Sequence, residues 1–223
     1  RSSYNLTFDA SLLDEDEDAN EAILRLLELC QERGINWVDA LPITRSTPFA
    51  YTLDSLDSTS SRRFLTYLKD LDGAAEALGA YLLEHPALLE TTDEDGDVEN
   101  PADDILADEE LTDAQKASRL LDELTASQLT AALLEGAGLS PTRLIALMRE
   151  DLNVPASFSV AEARLVLGIQ YEIRSRNLVS TDAYVLAEDI DAELISLLND
   201  GDYAGAKITP SSVREDETTY AAH

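Results

Sequence analysis

The chain has 223 residues, of which 45 are acidic and 16 basic, so its formal net charge at pH 7 is −29. Its hydrophobic content of 44% is typical of a globular protein and argues against wholesale disorder. So acidic a surface repels a phosphate backbone over about 10 Å at 0.1 M salt. We therefore expect neither nucleic acid nor an anionic membrane surface among its direct partners. A solvated surface, including one adapted to high salt, explains the charge more simply than a specific cation-binding role or mimicry of nucleic acid.

Cysteine content and hydropathy exclude further classes. Cys30 is the only cysteine, which leaves no internal disulfide and no zinc site built from several thiolates. Its leucine-rich helical surroundings predict a small core residue. No stretch approaches the roughly 20 apolar residues of a membrane span. The chain opens at Arg1 instead of Met and ends at His223 within a patterned segment, so we expect it to be a piece of a longer protein.

The N-terminal part predicts a strand and then a helix. Tyr4, Leu6 and Phe8 alternate with polar residues, which is typical of a half-buried strand. The pattern Asp18-x-x-Glu21 resembles a capping box, and a glycine follows the next apolar run. Two short extended runs are predicted at 40–45 and 49–53. The apolar stripe of the helix consists of Ile23, Leu26, Leu27 and Cys30.

The middle of the chain predicts helices. Apolar residues recur at helical spacing over 61–71 and 74–84, and an exposed acidic loop is expected over 91–108. Later helices begin at capping patterns, because a hydroxyl side chain can accept a backbone N–H at a helix start. These patterns are Thr112-x-x-Gln115, Thr125-x-x-Gln128, Ser140-Pro141 and Ser159-x-x-Glu162.

The C-terminal part returns to alternation. Ile169, Tyr171 and Ile173 predict a strand after Gly168, followed by a strand at 184–190, a helix at 191–200 and a strand at 206–213. The predicted fold is α+β, with a split sheet formed by N- and C-terminal strands and a large helical insertion. The predicted parts are 1–55 (strand and helix), 56–167 (helical insertion) and 168–223 (strand, helix, strand).

No pattern predicts catalysis or metal binding. The acidic run from Asp93 begins like a calcium-binding EF-hand loop, but Val98 occupies its glycine position and Asp104 its glutamate position, so a solvated loop is the better interpretation. The run at 14–18 lacks the same two residues. His85 precedes a proline at a helix end, and no nucleophile–base constellation accompanies it. We therefore predict no catalytic, cofactor-binding or metal-binding residue and no cofactor.

One segment, 128–151, has the pattern of a helix-turn-helix. As a DNA-reading helix, its second half would present Thr142, Arg143 and Arg149. The same helix carries a wide apolar face, which together with the net charge favours internal packing over a DNA-binding regulator. This apolar face consists of Leu144, Ile145, Leu147 and Met148.

Several stretches resemble one protein family. Segments 161–177, 184–208 and 211–223, and segment 1–13 at the other end, resemble the non-catalytic N-terminal region of class B penicillin-binding proteins, called the dimerisation or pedestal domain. In the family a helix carrying an arginine leads into a long strand, and Arg164 and Arg174 hold those places. The last segment is similar to the family's Arg-x-Tyr-Pro and Ala-Ala-His run, although Asp216 replaces the tyrosine. The matching residues there are Arg214, Ala221, Ala222 and His223.

The resemblance implies a function outside catalysis. The family's transpeptidase uses a Ser-x-x-Lys nucleophile and a Lys-Thr-Gly strand, and neither motif occurs here. It thus implies a non-enzymatic part of a serine-type D,D-transpeptidase of peptidoglycan synthesis, on the extracytoplasmic side of the cytoplasmic membrane, with an anchor upstream. The implied partners are its own transpeptidase domain and a multi-spanning peptidoglycan glycosyltransferase. The family's name for the region leaves a homodimer open.

The residues themselves leave one alternative. Broad apolar helix faces and an acidic surface are also typical of a free-standing helical assembly or interaction protein of a virus or salt-adapted cell. Such a protein is expected to form a stable oligomer whose folding depends on molar salt.

Overall fold

A computed structural model describes residues 2–178 and 183–211 and shows an α+β protein. The chain folds as two compact units. We call Arg1–Val38 with Leu178–His223 the sheet unit, and Asp39–Asn177 the helical unit. The helices are α1 (Ala19–Glu32), α2 (Ser58–Asp70), α3 (Asp72–Glu84), α4 (Ala102–Ala107), α5 (Asp113–Glu123), α6 (Ala131–Gly136), α7 (Pro141–Asp151), α8 (Val160–Ser175) and α9 (Ala192–Asp200). The strands are β1 (Tyr4–Phe8), β2 (Thr91–Thr92), β3 (Val98–Glu99), β4 (Tyr184–Ala187) and β5 (Ala206–Pro210).

The sheet unit is built around the N-terminal strand. β1 lies between β4 and β5 and is antiparallel to both, so the predicted split sheet is confirmed. Leu6, Thr7 and Phe8 are all buried, whereas Tyr4 is exposed. The expectation of a half-buried strand is therefore wrong for residues 6–8, because a central strand can be covered on both faces. The Thr7 hydroxyl donates a hydrogen bond to the Lys207 carbonyl oxygen at 2.8 Å.

Helix α1 begins and ends as predicted. The Asp18 carboxylate accepts hydrogen bonds from the backbone N–H groups of Asn20 and Glu21, which satisfies two donors of the first turn. Gly34 has a φ of +66°, a left-handed conformation that favours glycine after a helix. All four residues of the predicted apolar stripe are buried. In the C-terminal part, β4, α9 and β5 are the predicted strand, helix and strand, and residues 212 and 213 of the last prediction lie outside the described residues.

The burial of Cys30 gives a chemical prediction. Its side chain is inaccessible to solvent, and this burial raises the pKa of the Cys30 thiol to about 11. Because the thiolate is the reactive form, we expect the folded protein to resist iodoacetamide at mildly alkaline pH. Unfolding in urea should restore the alkylation rate of an ordinary thiol, which mass spectrometry can follow. Rapid modification of the folded protein would contradict this placement.

In the helical unit, α2 and α3 confirm the helices predicted at 61–71 and 74–84. The capping patterns at Thr112 and Ser140 are confirmed: the Thr112 and Gln115 side chains each accept a backbone N–H at the start of α5, and the Ser140 hydroxyl accepts one from Arg143 at the start of α7. The helix predicted to start at Thr125 is only a 3₁₀ turn over Ala126–Gln128, because α6 begins behind a different cap, Thr130. Helices α3 and α5 pack closely. A Cβ added at Gly79 would lie 2.9 Å from the Ala117 carbonyl oxygen.

The acidic segment 91–108 is more ordered than predicted. The expectation of a loop throughout is wrong, because the segment contains the β2–β3 hairpin and α4. The Asp93 carboxylate accepts hydrogen bonds from the N–H groups of Asp95 and Asp97 and so closes the hairpin turn. The Asn100 side chain accepts from the N–H of Ala102 and begins α4. Short polar side chains thus form local structure that a count of acidic residues conceals.

The predicted strand after Gly168 is wrong. Residues Ile169, Tyr171 and Ile173 lie in α8, a single helix that starts at the confirmed Ser159–Glu162 capping box. Every residue from Ala163 to Glu172 except Gln170 is buried. A helix covered on nearly all sides shows no apolar stripe of period 3.6, so the alternation near its end resembles that of a strand.

The unit boundaries also differ in position from the predicted parts. They lie at 38/39 and 177/178, further out than the predicted 55/56 and 167/168. The second shift follows from α8, which continues to Ser175. Of the extended runs predicted at 40–45 and 49–53, the structure pairs Ile43 with Tyr51 in a single bridge.

Candidate functional site

The candidate site is a buried ionic cluster in which the first residues of the helical unit meet helix α8 near the unit's C-terminal end. Its centre is Arg164 of α8, and only 1% of this residue is exposed to solvent. The guanidinium donates from Nη1 to Oδ2 of Asp39 at 2.8 Å. Its Nε and Nη2 donate to the carbonyl oxygen of Ile43 at 3.1 and 2.6 Å, and Nη2 also donates to that of Leu41 at 3.3 Å. A single side chain therefore binds three residues of the segment 39–43.

Two buried carboxylates complete the cluster. The Asp39 side chain is fully buried, and its Oδ1 accepts the Leu41 N–H at 2.9 Å. Arg45, about one third exposed, lies 3.6 Å from Oδ2 of the same carboxylate. Glu172 of α8 accepts the N–H of Ala40 at Oε1, and its Oε2 lies 2.7 Å from Nε of Arg176. Each buried charge thus has an opposite charge beside it, as burial requires.

The spacing on α8 explains why the segment 39–43 docks there. Arg164, Gly168 and Glu172 follow one another at intervals of four residues, so they lie on one face of the helix. A Cβ at Gly168 would overlap the Asp39 carboxylate. Gly168 therefore leaves the space in which Asp39 reaches Arg164.

This arrangement is suited to holding backbone in place. An arginine stays protonated at any ordinary pH, and its planar guanidinium fixes the directions of its donors. Here those donors are all directed at Asp39 and at carbonyl groups of the same segment. The first residues of the helical unit are thereby bound to its last long helix. Removal of one partner from such a buried pair is strongly destabilising, because it leaves an uncompensated buried charge.

Sequence reasoning missed this cluster. It named Arg164 and Arg174 only through the family resemblance, and it named neither Asp39 nor Glu172. The signal that could have revealed the α8 half is the pattern Arg164-x-x-x-Gly168-x-x-x-Glu172, with a glycine between two opposite charges on a helix face. The partner segment at 39–43 lies more than 120 residues away in sequence.

Other residues singled out in the sequence lie where their local patterns indicated. His85 caps the C-terminus of α3, with its Nδ1 3.1 Å from the Tyr81 carbonyl oxygen, which confirms the helix-end placement. On α7, Leu144, Ile145 and Met148 are buried and Leu147 is half-buried, so the packing face is confirmed for the first three.

One arginine of α7, the helix considered above as a DNA-reading helix, forms hydrogen bonds within the helical unit. Arg149 donates to the carbonyl oxygens of Pro155 and Phe158 at 2.6 and 2.8 Å. It is therefore committed to the turn after α7. The C-terminal residues that carry part of the resemblance lie outside the described residues: Arg214, Asp216, Ala221, Ala222 and His223.

Two other kinds of site are absent from the part of the chain that the structure describes. Within residues 2–178 and 183–211, no three or more His, Cys, Asp or Glu side chains are grouped so that they could hold a metal ion. In the same described part of the chain, no helix combines the length and apolarity needed to cross a membrane. No protein-family model and no curated protein matches the chain.

Proposed function

We propose that this chain is the non-catalytic pedestal, or dimerisation, domain of a class B penicillin-binding protein. One observation carries the proposal. The resembling stretches 1–13 and 184–208 stand at opposite ends of the sequence, yet they supply β1, β4 and β5 of one sheet. If both segments come from the pedestal domain that they resemble, they should fold together. The pairing of their strands in one sheet supports this.

The proposed role is mechanical. The sheet unit positions a transpeptidase domain away from the membrane, and the helical unit contacts partners of peptidoglycan synthesis, among them a multi-spanning glycosyltransferase. A spacer of this kind requires defined internal geometry. The Arg164 cluster supports such a role, because it binds both ends of the helical unit to each other. The proposed location is the extracytoplasmic side of the cytoplasmic membrane.

The reading frame around this segment tests the proposal. We expect it to encode an apolar anchor of roughly 20 residues upstream of Arg1 and a Ser-x-x-Lys motif followed by Lys-Thr-Gly downstream of His223. A stop codon directly after His223 would contradict the proposal. It would instead favour the free-standing acidic assembly protein.

Labelling with a fluorescent penicillin separates the pedestal from catalysis. We expect the segment 1–223 to remain unlabelled, because neither Ser-x-x-Lys nor Lys-Thr-Gly occurs in it. The full-length product of the same gene should acylate in a one-to-one ratio, and substitution of its Ser-x-x-Lys serine should abolish that reaction. Stoichiometric acylation of the segment alone would overturn the assignment.

A further inference from the structure

A polar groove of about 330 Å³ lies in the helical unit, and no residue of the Arg164 cluster lines it. One wall is the face of α2 that carries Arg63, Thr66, Tyr67 and Asp70, and the other includes Asp151 at the end of α7 and Arg174 near the end of α8. Cavities of this size are at the lower end of the range that holds small ligands.

Two charged side chains of the groove form no hydrogen bond and no ion pair among the described residues. Arg63 is half-buried and Asp70 is exposed, and neither side chain forms a hydrogen bond or an ion pair with another residue in the part of the chain that the structure describes. Asp57, which caps the start of α2, interacts with Arg63 through their opposite charges but forms no ion pair with it, so the guanidinium keeps its hydrogen-bond donors for a ligand. Both charges are available to a ligand.

The middle of the groove is already internally paired. The Tyr67 hydroxyl donates to Oδ2 of Asp151 at 2.9 Å, and Nη1 of Arg174 lies 3.7 Å from the same oxygen. Burial and the hydrogen bond to Asp151 raise the pKa of Tyr67 well above its ordinary value, so its hydroxyl remains a donor. The Tyr67 ring packs edge-on against Tyr171 with centroids 5.2 Å apart. The groove therefore has a centre whose charges are paired, and α2 presents one further charge of each sign that forms no ion pair among the described residues.

The spacing of the two unpaired charges defines a ligand length. Arg63 and Asp70 are seven residues apart on α2, which places them on one face and about 10 Å apart along the helix axis. An extended peptide of three residues spans about 10 Å. We propose that this groove binds a short zwitterionic peptide of about three residues, with its carboxylate at Arg63 and its ammonium group at Asp70. This inference goes beyond the proposed pedestal function and does not depend on it.

The chemistry of each end fits this orientation. A guanidinium can donate two parallel hydrogen bonds to a carboxylate, and a charge-assisted pair of this kind is stronger than a neutral one. The Asp70 carboxylate accepts from an ammonium group in the same way. A peptide with one end blocked would leave one of these charges unpaired.

The test is a titration of the whole ¹⁵N-labelled chain with trialanine, followed by NMR. We expect saturable shifts of amides in α2 and near the ends of α7 and α8. N-acetyl-trialanine and trialanine amide should each bind about tenfold or more weakly, because each loses one charged contact. Equal affinities of the three peptides, or no shift in the folded chain at any soluble concentration, would overturn the proposal.

Variants separate the two ends of the groove. Arg63→Met should abolish the preference for a free carboxylate while keeping that for a free ammonium group, and Asp70→Asn should do the reverse. The double exchange R63D/D70R should restore selectivity for the free tripeptide, bound in the opposite direction. Arg62→Met is the matched control, because Arg62 is the exposed neighbour on α2 and does not line the groove. Circular dichroism checks that each variant is folded. Loss of binding in the Arg62 control to the same extent as in Arg63→Met would also overturn the assignment.

Discussion

Replacement of Arg164 by methionine is expected to destabilise the helical unit by about 3–5 kcal/mol, the usual cost of leaving a buried charge without its partner. The change removes the guanidinium from the fully buried Asp39 side chain. It also removes the hydrogen bonds that the carbonyl oxygens of Leu41 and Ile43 accept from the Arg164 side chain. Methionine keeps an apolar chain in the place of the arginine's aliphatic stem. The loss therefore reflects mainly the missing charge and hydrogen bonds.

Urea unfolding followed by two signals can locate this effect. Far-UV circular dichroism reports mainly on the helical unit, which contains α2 to α8, whereas Trp37 is the only tryptophan and belongs to the sheet unit. Arg45→Met is the matched control, since Arg45 contacts the same carboxylate from a partly exposed position and should cost about 1 kcal/mol or less. Equal unfolding free energies for the two variants would show that Arg164 does not have the proposed role.

The sequence predicts those features that depend on local hydrogen bonds. Asp18, Thr112, Ser140 and Ser159 each stand at the start of a helix as expected, because a capping side chain contacts only the next two or three residues. The order of strand, helix and strand after residue 183 was predictable for the same reason: each element is short and bounded by turn residues. The pairing of β1 with β4 and β5 has no local signal of this kind. It was predictable only because the strands at the two ends of the chain each need a partner strand.

The features that sequence reasoning missed depend on distant residues. The end of α8 was interpreted as a strand because its burial on most sides comes from packing that no local pattern records. Asp39 could not be distinguished from the other acidic residues, since only its long-range contact with Arg164 marks it. Glu172 has a local signal in its spacing from Arg164 and Gly168, but its contact with Ala40 is long-range. Likewise, Arg63 is notable only because the fold leaves its guanidinium without a hydrogen bond or an ion pair among the described residues.

A second large effect is expected at Gly168. Alanine is the better helix former by about 1 kcal/mol, so Gly168→Ala would stabilise α8 if propensity alone decided. The added Cβ would instead overlap the carboxylate of Asp39, which Arg164 and the Leu41 N–H hold in place. Overpacking of this kind typically costs 1–3 kcal/mol. We therefore expect Gly168→Ala to lower the unfolding free energy of the helical unit by about 1–3 kcal/mol.

The matched control for Gly168→Ala is the same change at another helical glycine. A Cβ at Gly73 of α3 would approach Cδ2 of Leu147 at 2.7 Å, but this atom ends a flexible side chain that can rotate away. Gly73→Ala should therefore leave the unfolding free energy within about 0.5 kcal/mol of its original value or raise it.

A double-mutant cycle distinguishes overlap with Asp39 from a general intolerance of α8. In an Asp39→Ala background the carboxylate is gone, so Gly168→Ala should cost clearly less than it does alone, with a coupling of about 1 kcal/mol or more. Additive effects of the two substitutions would mean that the space at Gly168 serves something other than Asp39. In that case, the docking of segment 39–43 on α8 would not depend on the glycine.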